Sequence, residues 1–135
     1  MRSEKDVEAY LLRLNRQYRS LEETPGTFLI ETAGGMPPVA LRVDPPLVVV
    51  RVHIGDLEHG SSPGPLLRRL LELNARQLVH ASYGLDGDRV VLSSALELEN
   101  LDFNEIQATL DEIDVALAQQ LSLLAAKGGL KTNLG

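Results

Sequence analysis

Residues 47–54, LVVVRVHI, constrain the chain more than any other stretch. Val48, Val50, Val52 and Ile54 recur at every second position, with Val49, Arg51 and His53 between them. Side chains two apart share a face in a strand and not in a helix. The segment therefore predicts a strand with one wholly apolar face. That face must be covered, and an alternating strand needs its cover on one side only.

The cover is legible in residues 102–124. Phe103, Ile106, Leu110, Ile113, Leu117, Leu121 and Leu124 are spaced three or four apart, which is one stripe of a long helix. Asp102 with Glu105 three residues on predicts its N-cap. A second helix is predicted over LLRRLLELNARQ (66–77), with Leu66, Leu67, Leu70, Leu71 and Leu73 on its apolar face. Ser62 before Pro63 reads as its cap. A first helix starts at a capping box, Ser3 with Asp6. Val7, Tyr10, Leu11, Leu14, Tyr18 and Leu21 give it an apolar face, ending at Thr24-Pro25-Gly26. On that reading Arg13, Arg16 and Arg19 form a basic stripe along the helix.

Four further strands are expected. They are TFLIE (27–31), VALRV (39–43), LVHASYGL (78–85) and VVLSSALEL (90–98). AGGMPP (33–38) and DPP (44–46) punctuate the first block, and Asp86-Gly87 suits a two-residue hairpin turn. Such tight links exclude parallel crossovers. The expectation is an α+β fold, α-β-β-β-α-β-β-α, with a single, mainly antiparallel five-stranded sheet covered by helices. It forms one domain over residues 1–126, followed by a flexible C-terminal tail, 127–135.

The stretch LLELNARQLVHASYGLDGDRVVLSSALELENLDFNEIQATLDEI (70–113) carries a resemblance. A leucine-rich helix ends near Asn74, a strand ends in Gly84-Leu85-Asp86, and a hairpin returns through Arg89-Val90-Val91-Leu92. Leu101-Asp102 with Glu105-Ile106 then opens the long helix. This pattern and the element order resemble the type III secretion chaperones and the YbjN-like proteins that share their fold. The resemblance implies a small, dimeric, non-enzymatic protein that binds other proteins. It implies no catalytic motif and no cofactor.

The residues themselves offer little chemistry. HIGDLEHG (53–60) holds His53, Asp56, Glu58 and His59, but its spacing matches no metal motif. A small metal-dependent enzyme using the 53–62 loop is the alternative that this stretch keeps open. GSSPG lacks the nucleophile-elbow pattern, and AGGM and KGGL lack the lysine and hydroxyl of a phosphate loop. Asp111 and Glu112 are expected on an exposed helix face. The chain has no cysteine, so disulfides and thiolate chemistry are excluded.

Charge and hydropathy bound the partners. A formal net charge of −6 disfavours direct nucleic-acid binding, which needs a positive surface. Residues 97–114 carry seven acidic residues and no basic one, from Glu97 to Asp114. An accessory role in nucleic-acid machinery, exerted through a protein partner, remains compatible with this charge. MRSEKDVEAY contains no apolar signal core, and the longest apolar run, PPLVVV, is too short to span a bilayer. A cytoplasmic protein without membrane contact is expected. The reading is a homodimeric, chaperone-like or adaptor-like module that holds a protein client through apolar surface. Its contacts are expected on the first helix at Tyr10, Leu11, Leu14 and Tyr18, flanked by Arg13, Arg16 and Arg19 for an acidic client segment.

Overall fold

The computed structural model describes residues 2–132. Three helices lie on one face of a single antiparallel sheet. The elements are α1 (Glu4–Arg13), β1 (Tyr18–Ser20), β2 (Thr27–Ile30), β3 (Val39–Asp44), β4 (Leu47–Leu57), α2 (Gly64–Arg76), β5 (Ser82–Asp86), β6 (Arg89–Glu97), α3 (Phe103–Ala126) and β7 (Leu130–Thr132). A short 3-10 turn, Ala33–Gly35, joins β2 to β3. The sheet has seven strands in the order β1-β2-β3-β4-β6-β5, and β7 pairs with the far end of β4.

The expected α+β sandwich is present, with two strands more than the sequence predicted. β4 is the spine. It pairs with β3 through residues 47–51 and with β6 along most of its length. Val48, Val50, Val52 and Ile54 are all buried, as their alternation requires. They meet Phe28, Ile30, Val39, Leu41 and Leu92 from the neighbouring strands, and Val7, Leu11, Leu66 and Leu73 from the helices. α3 buries Ile106, Leu110, Ile113, Leu117, Leu121 and Leu124, so the predicted stripe is the packing face; Phe103 at its start is half-buried. Asp102 and Glu105 form a full capping box, as do Ser3 and Asp6. The cap bond holds the Asp6 carboxyl below its usual range, chiefly through the Ser3 backbone N–H.

Several expectations need correction. α1 stops at Arg13; its C-cap is Leu14, and Asn15 takes a left-handed φ of 57°. The chain therefore reverses, and Tyr18–Ser20 becomes an edge strand instead of a continuation of the helix. Ser62 does not cap α2; Pro63 occupies the cap position without a side-chain bond. Leu71 lies outside the packed face of α2 and is 68% exposed. The strand expected over 78–85 begins only at Ser82, and Val79 is 82% exposed. The turn that follows has Gly87 and Asp88 as its central residues, one position later than expected, closed by the pair Asp86↔Arg89. Gly87 has φ 62°, the left-handed start that a II′ turn needs.

β4 does not break at Gly55. It bulges between His53 and Gly55 and runs on to Leu57, where β7 pairs with it. Part of the expected C-terminal tail is thus built into the sheet, with Leu130 only 4% exposed. Residues 133–135 of that tail lie outside the described residues. A Cβ on Gly55 would run into the Lys131 carbonyl oxygen. Glycine there is a condition for β7 to approach.

Candidate partner-binding surface

The turn after α1 disperses the three arginines. Arg13 ends the helix with its guanidinium 4.0 Å above the Phe103 ring. Arg16, in the turn, donates through Nη2 to Asp114 Oδ2 at 2.7 Å and Asp111 Oδ1 at 3.1 Å, and its side chain is only 16% exposed. It thus pins the α1–β1 turn to α3. Arg19 stands exposed on β1.

The apolar candidates separate as well. Leu11 is wholly buried in the core, so it presents nothing to a partner. Leu14 is half-buried. Tyr10 donates to the Leu101 carbonyl at 3.1 Å and sits edge-on to Phe103. Tyr18 donates to Glu8 Oε2 at 2.9 Å and packs edge-on against Phe28. Desolvation, with Glu8 beside it, raises the Tyr18 phenol above its ordinary range. The geometry therefore gathers Arg16, Tyr18 and Arg19 and sends the other four elsewhere.

What gathers them is the edge of the sheet. Glu31 N–H donates to Gln17 C=O, and Leu21 N–H to Thr27 C=O, both at 2.9 Å. In an antiparallel ladder, bonded pairs alternate with unbonded ones. The N–H and C=O groups of Tyr18 and Ser20 therefore point away from β2. Among the described residues nothing bonds to them. Beside this edge runs an open groove of about 780 Å³ whose walls include Arg16, Tyr18, Arg19, Leu29 and Met36. A second groove, about 460 Å³, shares Thr32 and Met36 with it and continues to Val115 and Ala118 on α3. Val115 is 52% exposed. Main-chain donors and acceptors thus lie next to a groove of mixed polar and apolar lining that continues into a mainly apolar one, which suits an extended peptide.

The histidine-rich stretch forms no comparable site. His53 Nε2 and Asp56 Oδ1 are 3.0 Å apart. Asp56 belongs to β4, whereas Glu58 and His59 follow it in the connecting segment. Among the described residues no group of three or more His, Cys, Asp or Glu could hold a metal ion. Among the described residues no helix is long and apolar enough to cross a membrane.

Two polar residues carry more structure than their sequence suggests. Glu112 was expected on an exposed face. Its carboxylate instead accepts the backbone N–H groups of Val79, His80 and Ala81, at 2.8–3.2 Å. Asn74 bonds both main-chain groups of Tyr83. No local pattern marks either residue, because both bonds join parts of the chain that only the fold brings together.

An antiparallel sheet covered by three helices is the fold found in solved type III secretion chaperones. The CesT_Tir_1 family model matches residues 1–127, and the chain belongs to that family of type III secretion chaperones. Solved structures agree on the fold. A chain of the heterodimeric ExoU–SpcU complex from the Pseudomonas aeruginosa type III secretion system superposes with a TM-score of 0.69 at 17% identity, covering 89% of this chain and 98% of that one. YbjN from E. coli gives 0.69 at 12% identity, covering 97% and 96%. The Yersinia pestis complex of the type III secretion chaperone SycH with a fragment of YscM2 gives 0.54 at 19% identity, covering 82% and 94%. No curated protein matches the chain in sequence.

Proposed function

We propose that this protein is a non-enzymatic, cytoplasmic, chaperone-like module that holds an extended segment of a client protein along the outer edge of β1. The observation that carries the reading is the free edge itself: outward N–H and C=O groups at Tyr18 and Ser20 next to the open groove. A client strand would bond to those groups and place alternate side chains against Leu29, Met36 and Val115. Arg19 would favour an acidic residue on the client. Family membership supports the reading, as do similar chains solved in chaperone–partner complexes. The protein acts as a homodimer in this proposal.

The test begins with a client recovered by co-purification. Its protected segment is defined by proteolysis, synthesised and titrated. Ser20→Pro removes one outward N–H and no bond to β2, because edge strands tolerate proline on their free side. It should weaken binding about tenfold or more, roughly one main-chain hydrogen bond plus the blocked approach. Arg19→Glu should weaken binding further at low salt than at high salt. If folded Ser20→Pro binds the segment as tightly as the wild type, the client does not dock on β1.

A further inference from the structure

The second groove carries a charge that its surroundings do not balance. Met36, Val115, Leu117 and Ala118 give it apolar walls, and Asp114 is the one charged side chain among its described lining residues. Asp114 Oδ2 accepts from Arg16 Nη2 at 2.7 Å, and the same nitrogen lies 3.1 Å from Asp111 Oδ1. One guanidinium thus serves two carboxylates, which leaves one negative charge over. α3 contains no lysine or arginine to offset it. Arg13, at the end of α1, is stacked on Phe103.

The two oxygens of Asp114 are also treated unequally. Oδ1 is shielded from solvent and accepts no hydrogen bond among the described residues. A shielded acceptor without a donor is costly, and more so on a charged group. The terminal torsion of an aspartate is soft, so a modest turn of the carboxylate presents Oδ1 to a donor in the groove.

We propose that the second groove takes a lysine side chain of the client, with its methylenes along Met36, Val115 and Ala118 and its ammonium on Asp114 Oδ1. The inference rests on the β1 docking proposed above. The two grooves share Thr32 and Met36, so a strand on β1 has a path from one into the other. A long cationic side chain suits both parts of the site, because its stem buries against apolar surface while its head keeps a polar contact. Lysine fits better than arginine. The guanidinium fork binds a carboxylate through both oxygens, and here Oδ2 belongs to Arg16. A single available oxygen suits a point donor. The recognised segment is then acidic near Arg19 and carries lysine where it enters the second groove.

Random peptides displayed on phage and selected on this chain supply the probe. Peptides selected on the wild type should be enriched in lysine over the input library, and those selected on Asp114→Asn should not. Asparagine keeps an oxygen for Arg16, so the α1–β1 turn stays pinned. In the best peptide, synthesised and titrated, replacing one lysine by norleucine should weaken binding to the wild type about tenfold or more, and binding to Asp114→Asn by less than about twofold. Arginine at that position should also bind more weakly than lysine. General attraction to an acidic chain would enrich arginine as much as lysine and ignore Asp114→Asn, and that result overturns the proposal. Should Asp114→Asn fail to fold, Ala118→Leu narrows the groove, leaves the ion pair intact and must abolish the lysine preference. Ser20→Pro separates this site from the docking it rests on. Peptides weakened by Ser20→Pro but indifferent to norleucine overturn the lysine site and leave β1 docking standing. Peptides coupled to Asp114 but indifferent to Ser20→Pro support the lysine site and move the strand off β1.

Discussion

Glu112 carries one of the more consequential side chains in the molecule. Three successive N–H groups converge on its carboxylate at the link into β5. Glu112→Ala leaves the buried Ala81 donor and its neighbours without an acceptor. The expected loss is about 2–3 kcal/mol, the range for a lost charged hydrogen bond plus an unsatisfied group, read as a lower urea midpoint. A change within about 0.5 kcal/mol, typical of neutral surface substitutions, would contradict the contact. Tyr83 gives a pH signature. Its hydroxyl donates to Gln120 Oε1 at 2.6 Å, and burial raises its pKa well above 10. Below pH 10 both folded and unfolded states hold the proton, so this stability is fully present. Above pH 10 the unfolded state releases its proton while the folded state keeps it, so stability falls as pH rises, by at most about 1.4 kcal/mol per unit. Tyr83→Phe removes this slope. The gap between wild type and Tyr83→Phe in urea midpoint should therefore shrink between pH 9 and pH 11, and a constant gap would show that Tyr83 ionises normally. Neither residue was legible in advance. Glu112 reads as one carboxylate in an acidic run, and nothing near it in sequence reveals the donors 31–33 positions away.

At the scale of elements, legibility followed the strength of the local pattern. β4 and α3 were readable because their periods of two and about three and a half repeat over many residues, and the caps at Ser3 and Asp102 have a fixed spacing. β1 and β7 were not, because each has only three residues. Three residues cannot display a period, and the helical spacing of Leu14, Tyr18 and Leu21 continued past the true end of α1 by coincidence. Asn15 was the available signal, since asparagine tolerates the left-handed conformation that ends helices. The error mattered for the site. A helical stripe of arginines became one cation stacked on Phe103, one clamped by Asp111 and Asp114, and one exposed at the sheet edge. The strand was expected to end at Ile54, just before Gly55, yet glycine in a strand also marks a bulge or a close backbone approach. Here it marks both. Gly55→Val should expel β7 from β4 without unfolding the sheet, because the Lys131 carbonyl occupies the space of the new side chain. Hydrogen exchange should then show lost protection over residues 130–132 and retained protection in β6. Continued protection at 130–132 would mean that the backbone relaxes to admit a side chain.

The whole molecule leaves one face of its sheet without helices, and its composition bears on assembly. Cross-strand registers place Leu29, Ala40, Arg51, Ser93 and Ser82 in one row across that face, and Thr27, Arg42, Val49 and Ala95 in the next. His53 and Val91 pair in a third. Val49, Arg51, His53, Ser82, Val91 and Ala95 thus share that face, whereas His80 lies before β5 starts. Two arginines on the face have carboxylates beside them, Arg42 with Asp44 and Arg51 with Asp86, both at 3.1 Å, and His53 Nε2 lies 3.0 Å from Asp56 Oδ1; Arg19 stands exposed at the end of the first row. The carboxylates beside Arg42 and Arg51 lower the repulsion between copies of this face, although the chain as a whole carries −6. The apolar side chains between the ion pairs would supply the burial, and a stable contact needs upward of roughly 1,200 Å² in total. The prediction is a homodimer by light scattering at micromolar concentration. Val49→Glu places an unbalanced charge at the centre of the face while leaving the core side of β4 untouched. It should give a monomer with unchanged circular dichroism. A monomeric wild type would defeat the prediction outright, and a Val49→Glu variant that stayed dimeric would move the contact off this face.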